Sequence, residues 1–254
     1  MRAYLLDADD DLAAEFDVRT RHAVRQGTTV RVLQADVGEC DMCGVLEGMG
    51  DGFGLLLLDG LLALDTCVDG RTATDLFGAG DVVRPSAWRA EELLDSSTSW
   101  RALLPTRLAL LDSEFASRTR PWPQLACALM RRASRHSQDL DRLRAIAGHP
   151  RLEVRLDLLF WHLGARWGRV EPGGIRLTLP LTHRLLGQLV AAERPSVSHA
   201  LHRLMQAELI CGESGDWHLR GTLTQHLSVL AGRGALAQTA TAANGPRSGR
   251  LAPA

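Results

Sequence analysis

The spacing of apolar positions changes once along the chain. Over the first 120 residues the apolar runs are short: 30–33, 54–58, 61–64, 72–76 and 107–111. Turn signals separate most of them: Gly48-Met49-Gly50-Asp51-Gly52, Asp59-Gly60, Asp69-Gly70 and Gly78-Ala79-Gly80-Asp81. Short strands at such spacing predict an all-β barrel or jelly roll. A short helix over 9–16 precedes it, because the acidic run Asp9-Asp10-Asp11 suits the positive end of a helix.

After Pro121 and Pro123 the period becomes helical. Ala126, Leu129, Ala133, His136, Leu140, Leu143 and Ala147 recur at alternating spacings of 3 and 4. That is the seam of a helix about three heptads long, and it predicts pairing with a second copy. The other reading is a helix packed on its own domain, which the small Ala residues favour. A second helix carries Leu152, Leu156, Leu159, Phe160, Leu163 and Trp167 on one face and stops at Gly168. Glu171-Pro172-Gly173-Gly174 is a turn, and 175–179 alternates as a strand.

Residues 181–210 hold the strongest signal. Thr182 can cap a helix burying Leu185, Leu186 and Leu189, and Pro195 fits the first turn of the next. The second helix buries Val197, Leu201 and Leu204 and exposes Arg194, Ser196, Ser198, His199, His202 and Arg203. Two short helices with a tight connection make a helix-turn-helix whose polar outer face has the chemistry of a major-groove reader. Segments 208–211 and 217–220 flank Gly212-Glu213-Ser214-Gly215-Asp216 and predict the hairpin of a wing.

Charge agrees with two modules. The net charge is −1, yet residues 1–120 hold 21 acidic residues against 12 arginines, and 121–254 hold 9 against 17. A basic C-terminal half suits a polyanion. The chain contains no Lys, a bias that source composition explains as well as selection does. With 45% hydrophobic and 23% charged residues the composition is that of a globular protein. Its first residues lack the pattern of a signal peptide, and no apolar run approaches membrane-spanning length. Five scattered cysteines predict reduced thiols and a cytoplasmic location, without membrane association. Beyond 233 the Ala/Thr/Gly/Pro-rich sequence predicts a disordered tail.

The order of roll, long helix and winged helix-turn-helix resembles the Crp/Fnr family of bacterial transcription regulators. The resemblance is carried by Leu181-Thr182, Leu185 or Leu186, Gly187, Arg194, Val197-Ser198, Ala200-Leu201, Leu204 and Leu209-Ile210. The turns around 54–61 and 76–83 are similar to those of the family's β-roll. It implies an α+β protein with an N-terminal double-stranded β-helix (jelly roll), a long dimerisation helix and a C-terminal winged helix-turn-helix. The boundaries are a sensor domain over 1–120, the helix over 121–148, the DNA-binding domain over 149–232 and the tail over 233–254. The implied DNA-binding residues are Thr182, Arg194, Pro195, Ser196, Ser198, His199 and Arg203. The implied dimer contacts are Leu129, Ala133, His136, Leu140 and Leu143. The family often has Arg or another polar group where His199 stands and Glu where Pro195 stands, which bears on the bases read. The implied partners are double-stranded DNA and a second copy, and RNA polymerase is compatible with this reading.

Cyclic-nucleotide-binding members carry a Gly-Glu pair after the Gly-Asp turn, and later an Arg before a hydroxyl residue. Here Gly80-Asp81 leads into Val82-Val83-Arg84-Pro85, and Arg101 follows Trp100. The resemblance therefore implies no cyclic-nucleotide dependence and no cofactor, with Trp88, Trp100 and Arg101 making any cavity bulkier. Cys40-Asp41-Met42-Cys43 has thiolate-ligand spacing, so a metal- or redox-sensing reading stands as an alternative, although the other cysteines are isolated. A winged helix docking a protein partner is the other. No phosphate loop, nucleophile elbow or zinc-protease motif points to an enzyme.

Overall fold

A computed structural model describes residues 1–84, 95–213 and 215–232, apart from the side chains of Cys43 and Glu47. Trp88 and the expected tail over 233–254 lie outside the described residues. The chain divides into two compact units, Met1–Gly148 with 187–191, and 149–186 with 192 onward.

The first unit opens with β1 (Arg2–Tyr4), α1 (Leu5–Ala8), α2 (Asp10–Ala14) and α3 (Val18–Gly27). It continues through β2 (Thr29–Ala35), β3 (Gly38–Cys40), α4 (Cys43–Glu47), β4 (Gly54–Val68), β5 (Arg71–Gly78), β6 (Val82–Val83) and β7 (Ser96–Leu111). It ends with α5 (Ser113–Thr119) and α6 (Pro123–Ala147). The strands form an antiparallel sheet in the order β1-β2-β7-β4-β5, with β3 also on β7 and β6 also on β4. The region expected to be almost purely β thus begins and ends with helices. Asp9 caps α2 as the acidic run predicted, its Oδ1 accepting the Leu12 N–H at 3.0 Å.

The runs 54–58 and 61–64 belong to one strand, β4, that bends against β7. The pairing register shifts around Asp59 and Leu61, and Gly60 sits at φ 93°. A Cβ on Gly60 would lie 2.5 Å from the Pro105 carbonyl oxygen, so the sharp bend requires glycine. Leu55, Leu56 and Leu57 are consecutive because both faces of β4 are covered. Leu55 and Leu57 enter a core with Phe77 and Trp100, while Leu56 enters the core of α1, α3 and α5.

Helix α6 packs within this unit. Its buried residues are Leu125, Ala128, Leu129, Arg132 and Asp139. Arg132 forms a two-armed ion pair with Asp9, one arm 2.8 Å long, and burial leaves the two side chains 5% and 9% exposed. Burial opposes the charge on Asp9, but bonds from Arg132 and the Leu12 N–H hold its carboxyl below the usual range. His136 bonds Asp75 Oδ2 through Nε2 at 2.7 Å and stacks on Phe77 with ring centres 4.2 Å apart.

The elements after residue 148 are α7 (Leu152–Trp167), β8 (Arg169–Glu171), β9 (Gly174–Leu177), α8 (His183–Val190), α9 (Arg194–Gln206), β10 (Ile210–Glu213) and β11 (Asp216–Arg220), all in the second unit except residues 187–190 of α8. A helical stretch follows over 223–232. The four strands pair in the order β10-β11-β9-β8, all antiparallel. Leu156, Leu159, Phe160 and Leu163 of α7 are buried, and Phe160 meets Trp217 of β11 with ring centres 5.0 Å apart. Helix α7 packs on α9 and β9.

Candidate nucleic-acid interface

Helix α9 has two chemically distinct sides. Val197, Ala200, Leu201 and Leu204 are buried, at spacings of 3, 1 and 3 that keep them on one stripe. Fully burying a leucine is worth about 1.5–3 kcal/mol, so this stripe fixes the helix's rotation. The opposite side exposes Arg194, Pro195, Ser196, His199, His202 and Arg203. Arg194 is the first helical residue, and the helix start concentrates unpaired N–H groups that favour an anion.

The preceding helix is held as expected. Thr182 Oγ1 accepts the Leu185 N–H at 3.2 Å, and Leu185, Leu186 and Leu189 are buried. The chain turns from α8 to α9 through Ala191, which adopts φ 53°. The wing also forms as the sequence predicted, with Ile210 opposite Leu219 and Gly212 opposite Trp217.

Two of the implied DNA contacts have partners inside the fold. Ser198 is half-buried: its Oγ lies 2.8 Å from His183 Nδ1 and donates to the Arg194 carbonyl at 3.2 Å. Arg203 is exposed but pairs with Glu153 of α7. Burial raises the cost of charging Glu153, yet its backbone N–H and Arg203 outweigh it and hold the carboxyl below its usual value. Sequence reading missed His183 because a contact fifteen positions away leaves no periodic trace.

The implied dimer residues also separate. Leu129 lies in the core of its own unit, and His136 is held by Asp75. Ala126, Ala133, Leu140, Leu143 and Ala147 are only half-buried, and Met130 is 61% exposed.

Cys40 is half-buried on β3, opposite Trp100. Burial, with the nearby Asp41 charge, pushes its thiol above the ordinary value, which disfavours the thiolate a metal would need. The Cys43 side chain lies outside the described residues. Among the described residues no group of three metal-ligating side chains comes together, and no helix is long and apolar enough to cross a membrane.

A profile described as the Crp-like helix-turn-helix domain matches residues 154–223. No curated protein matches the chain. Among solved structures, the fold is similar to a CooA mutant from Carboxydothermus hydrogenoformans, at 13% identity and TM-score 0.58, covering 88% of this chain and 93% of that one. A transcriptional regulator of the CRP/FNR family from Thermus thermophilus is 22% identical, with TM-score 0.53, over 78% of this chain and 97% of its own. Residues 154–223 are a Crp-like helix-turn-helix domain, and the fold is the one these solved structures share. A cyclic nucleotide-binding domain containing protein from Listeria monocytogenes shares the fold at 12% identity and TM-score 0.62, covering 84% of this chain and 96% of that one. Helix α9 lies within the matched Crp-like domain, and its exposed polar side is the candidate surface for base edges.

Proposed function

We propose that the protein is a DNA-binding transcription regulator of the Crp/Fnr type that acts in the cytoplasm as a homodimer, reads a palindromic DNA site with α9, and does so without a cyclic nucleotide. The observation that carries the reading is the division of α9 into a buried apolar stripe and an exposed face of Arg194, Ser196, His199 and His202. Arginine offers a two-pronged donor for guanine O6 and N7, and histidine can donate or accept at a base edge. Pairing through α6 is supported by its outer stripe of half-buried alanines and leucines beside exposed Met130. Two copies would set their recognition helices roughly 34 Å apart on one face of the duplex.

Independence from cyclic nucleotides is supported at three places. Val82 and Val83 are buried on β6, where they pair with Leu56 and Leu55, so they offer no polar group to a phosphate. Arg101 is bound to Asp65 at 2.7 Å, and Asp65 also accepts from Thr74. Phe77, Trp100 and Met49 fill the roll's core, and His136 stacks on Phe77.

The test is selection of bound duplexes from a randomised pool, followed by titration of the winner with salt and with cyclic AMP and cyclic GMP. A two-fold symmetric consensus and an affinity falling steeply with salt are expected, since each arginine–phosphate contact releases counterions. Calorimetry should show neither nucleotide binding. Micromolar binding of either, or a tenfold gain in DNA affinity, would overturn the nucleotide-independent reading. Recovery of no consensus would instead favour a protein partner for the winged helix.

A further inference from the structure

Ser198 occupies the recognition helix where a base or phosphate contact was expected, yet its hydroxyl has two partners inside the fold. It donates to the Arg194 carbonyl, one turn earlier on α9, at 3.2 Å. The same oxygen lies 2.8 Å from Nδ1 of His183, the first residue of α8. A serine hydroxyl has one proton. With that proton directed to the Arg194 carbonyl, the second bond forms only if His183 Nδ1 carries a hydrogen and donates it to Oγ. The result is a three-residue chain from the start of α8, through Ser198, to the backbone of Arg194.

The position of this chain gives it leverage. The end of α8 and the start of α9 are joined through residues 191–193, a turn that includes the strained φ of Ala191. Among the described hydrogen bonds, the start of α8 therefore reaches the first turn of α9 only through His183 and Ser198. The buried stripe of α9 sets its rotation, but Arg194 stands before the first buried residue, Val197, in a turn that packing holds less firmly. Helix starts lack the i to i−4 bonds that stiffen the interior. A side chain reaching from the neighbouring helix to this turn adds a restraint of another kind, through Ser198.

We infer that His183 is a positioning residue for base recognition: through Ser198 it locks the first turn of α9 and so fixes the direction from which Arg194 reaches the duplex. Neither His183 nor Ser198 need touch a base for this. The inference rests on the proposed DNA reading by α9. It makes Ser198 an internal brace rather than a contact, and adds His183 to the residues that determine specificity.

The experiment is a double-mutant cycle in the full chain. Ser198→Ala, His183→Leu, the double variant and His183→Asn are compared with wild type on a duplex selected by wild type and on a random duplex. Asparagine places an amide donor near the position of Nδ1, so it serves as the conservative replacement. Each of Ser198→Ala and His183→Leu should reduce the ratio of selected to random affinity about fivefold, the scale of one hydrogen bond. The double variant should lose no more than either alone, and His183→Asn should recover most of the ratio.

Additive losses, or losses equal on both duplexes, would overturn the inference, since they would mean two separate contacts or a general weakening. Thermal unfolding of each variant separates these outcomes from misfolding, and the His183→Asn recovery holds the test open if His183→Leu is unstable. A wild-type protein that selects no duplex would remove the DNA reading itself, a result distinct from selective wild type with unaffected variants.

Discussion

At the scale of single residues, two positions of the helix-turn-helix have opposite demands. Arg194 is exposed at the first helical position of α9, and its charge is free of the apolar stripe. Arg194→Ala should cost about 1–3 kcal/mol at the selected duplex and much less on random DNA. Anisotropy titrations on both duplexes check this, and an equal loss on the two would make Arg194 a phosphate contact only. Ala191 is held at φ 53°, a conformation that a Cβ makes costly and glycine does not. Ala191→Gly should raise the unfolding free energy by up to about 1 kcal/mol, read from denaturant midpoints at unchanged slope. Arg194 was legible in the sequence because Pro195 and the Val197/Leu201/Leu204 spacing fix the helix start. The strain at Ala191 and the His183–Ser198 bond were not, since neither a turn conformation nor a contact between separate helices leaves a period in the sequence.

At the scale of elements, α6 shows what periodicity can and cannot say. Alternating spacings of 3 and 4 define a helix and an apolar stripe, and α6 forms over Pro123–Ala147. They do not say what covers the stripe. Leu129 faces the helix's own unit, whereas the buried line continues through Arg132, whose charge hid it from an apolar count. The partner, Asp9, lies more than a hundred residues away, which no local pattern reveals. Other losses of legibility have the same origin. The start of β7 was missed because Ser97, Thr98 and Ser99 are exposed and polar, and α3 because Val24 is its one buried residue among the described side chains. What remains of the seam is its outer part, where Leu140 and Leu143 are half-buried. In the proposed dimer an aspartate placed there would meet an apolar partner without compensation. Leu140→Asp with Leu143→Asp should therefore yield monomers in sedimentation and abolish selective DNA binding, and a variant that stays dimeric would place the contact elsewhere.

At the scale of the whole molecule, the two units should respond to pH in opposite directions. In the first unit the Asp9 carboxyl is held below its usual value, so folded protein binds that proton more weakly than unfolded protein. Its contribution is present above the unfolded value of about 4 and is lost as pH falls through the folded one. In the second unit His226 is 1% exposed and flanked by acceptors at both ring nitrogens, Asp157 Oδ1 at Nδ1 and the Arg220 carbonyl at Nε2, each at 2.5 Å. Burial alone would discourage its charge. The Asp157 carboxylate and the carbonyl outweigh burial, and the imidazole is raised above its ordinary value. The folded state therefore holds this proton more tightly than the unfolded chain. That stabilisation is complete below about pH 6.5 and fades as pH rises through the higher folded value. Heating at pH 6 and pH 8 should show the second unit melting at a lower temperature at pH 8. The emission of Trp161, Trp167 and Trp217 reports that unit once Trp88, Trp100 and Trp122, the other three tryptophans of the chain, are replaced by Phe. His226→Gln should lower the midpoint at pH 6 and remove most of the difference between the two pH values, because glutamine carries no titrating proton. A midpoint that rises toward pH 8 in wild type, or a pH difference that survives His226→Gln, would show that another group governs the stability of the second unit.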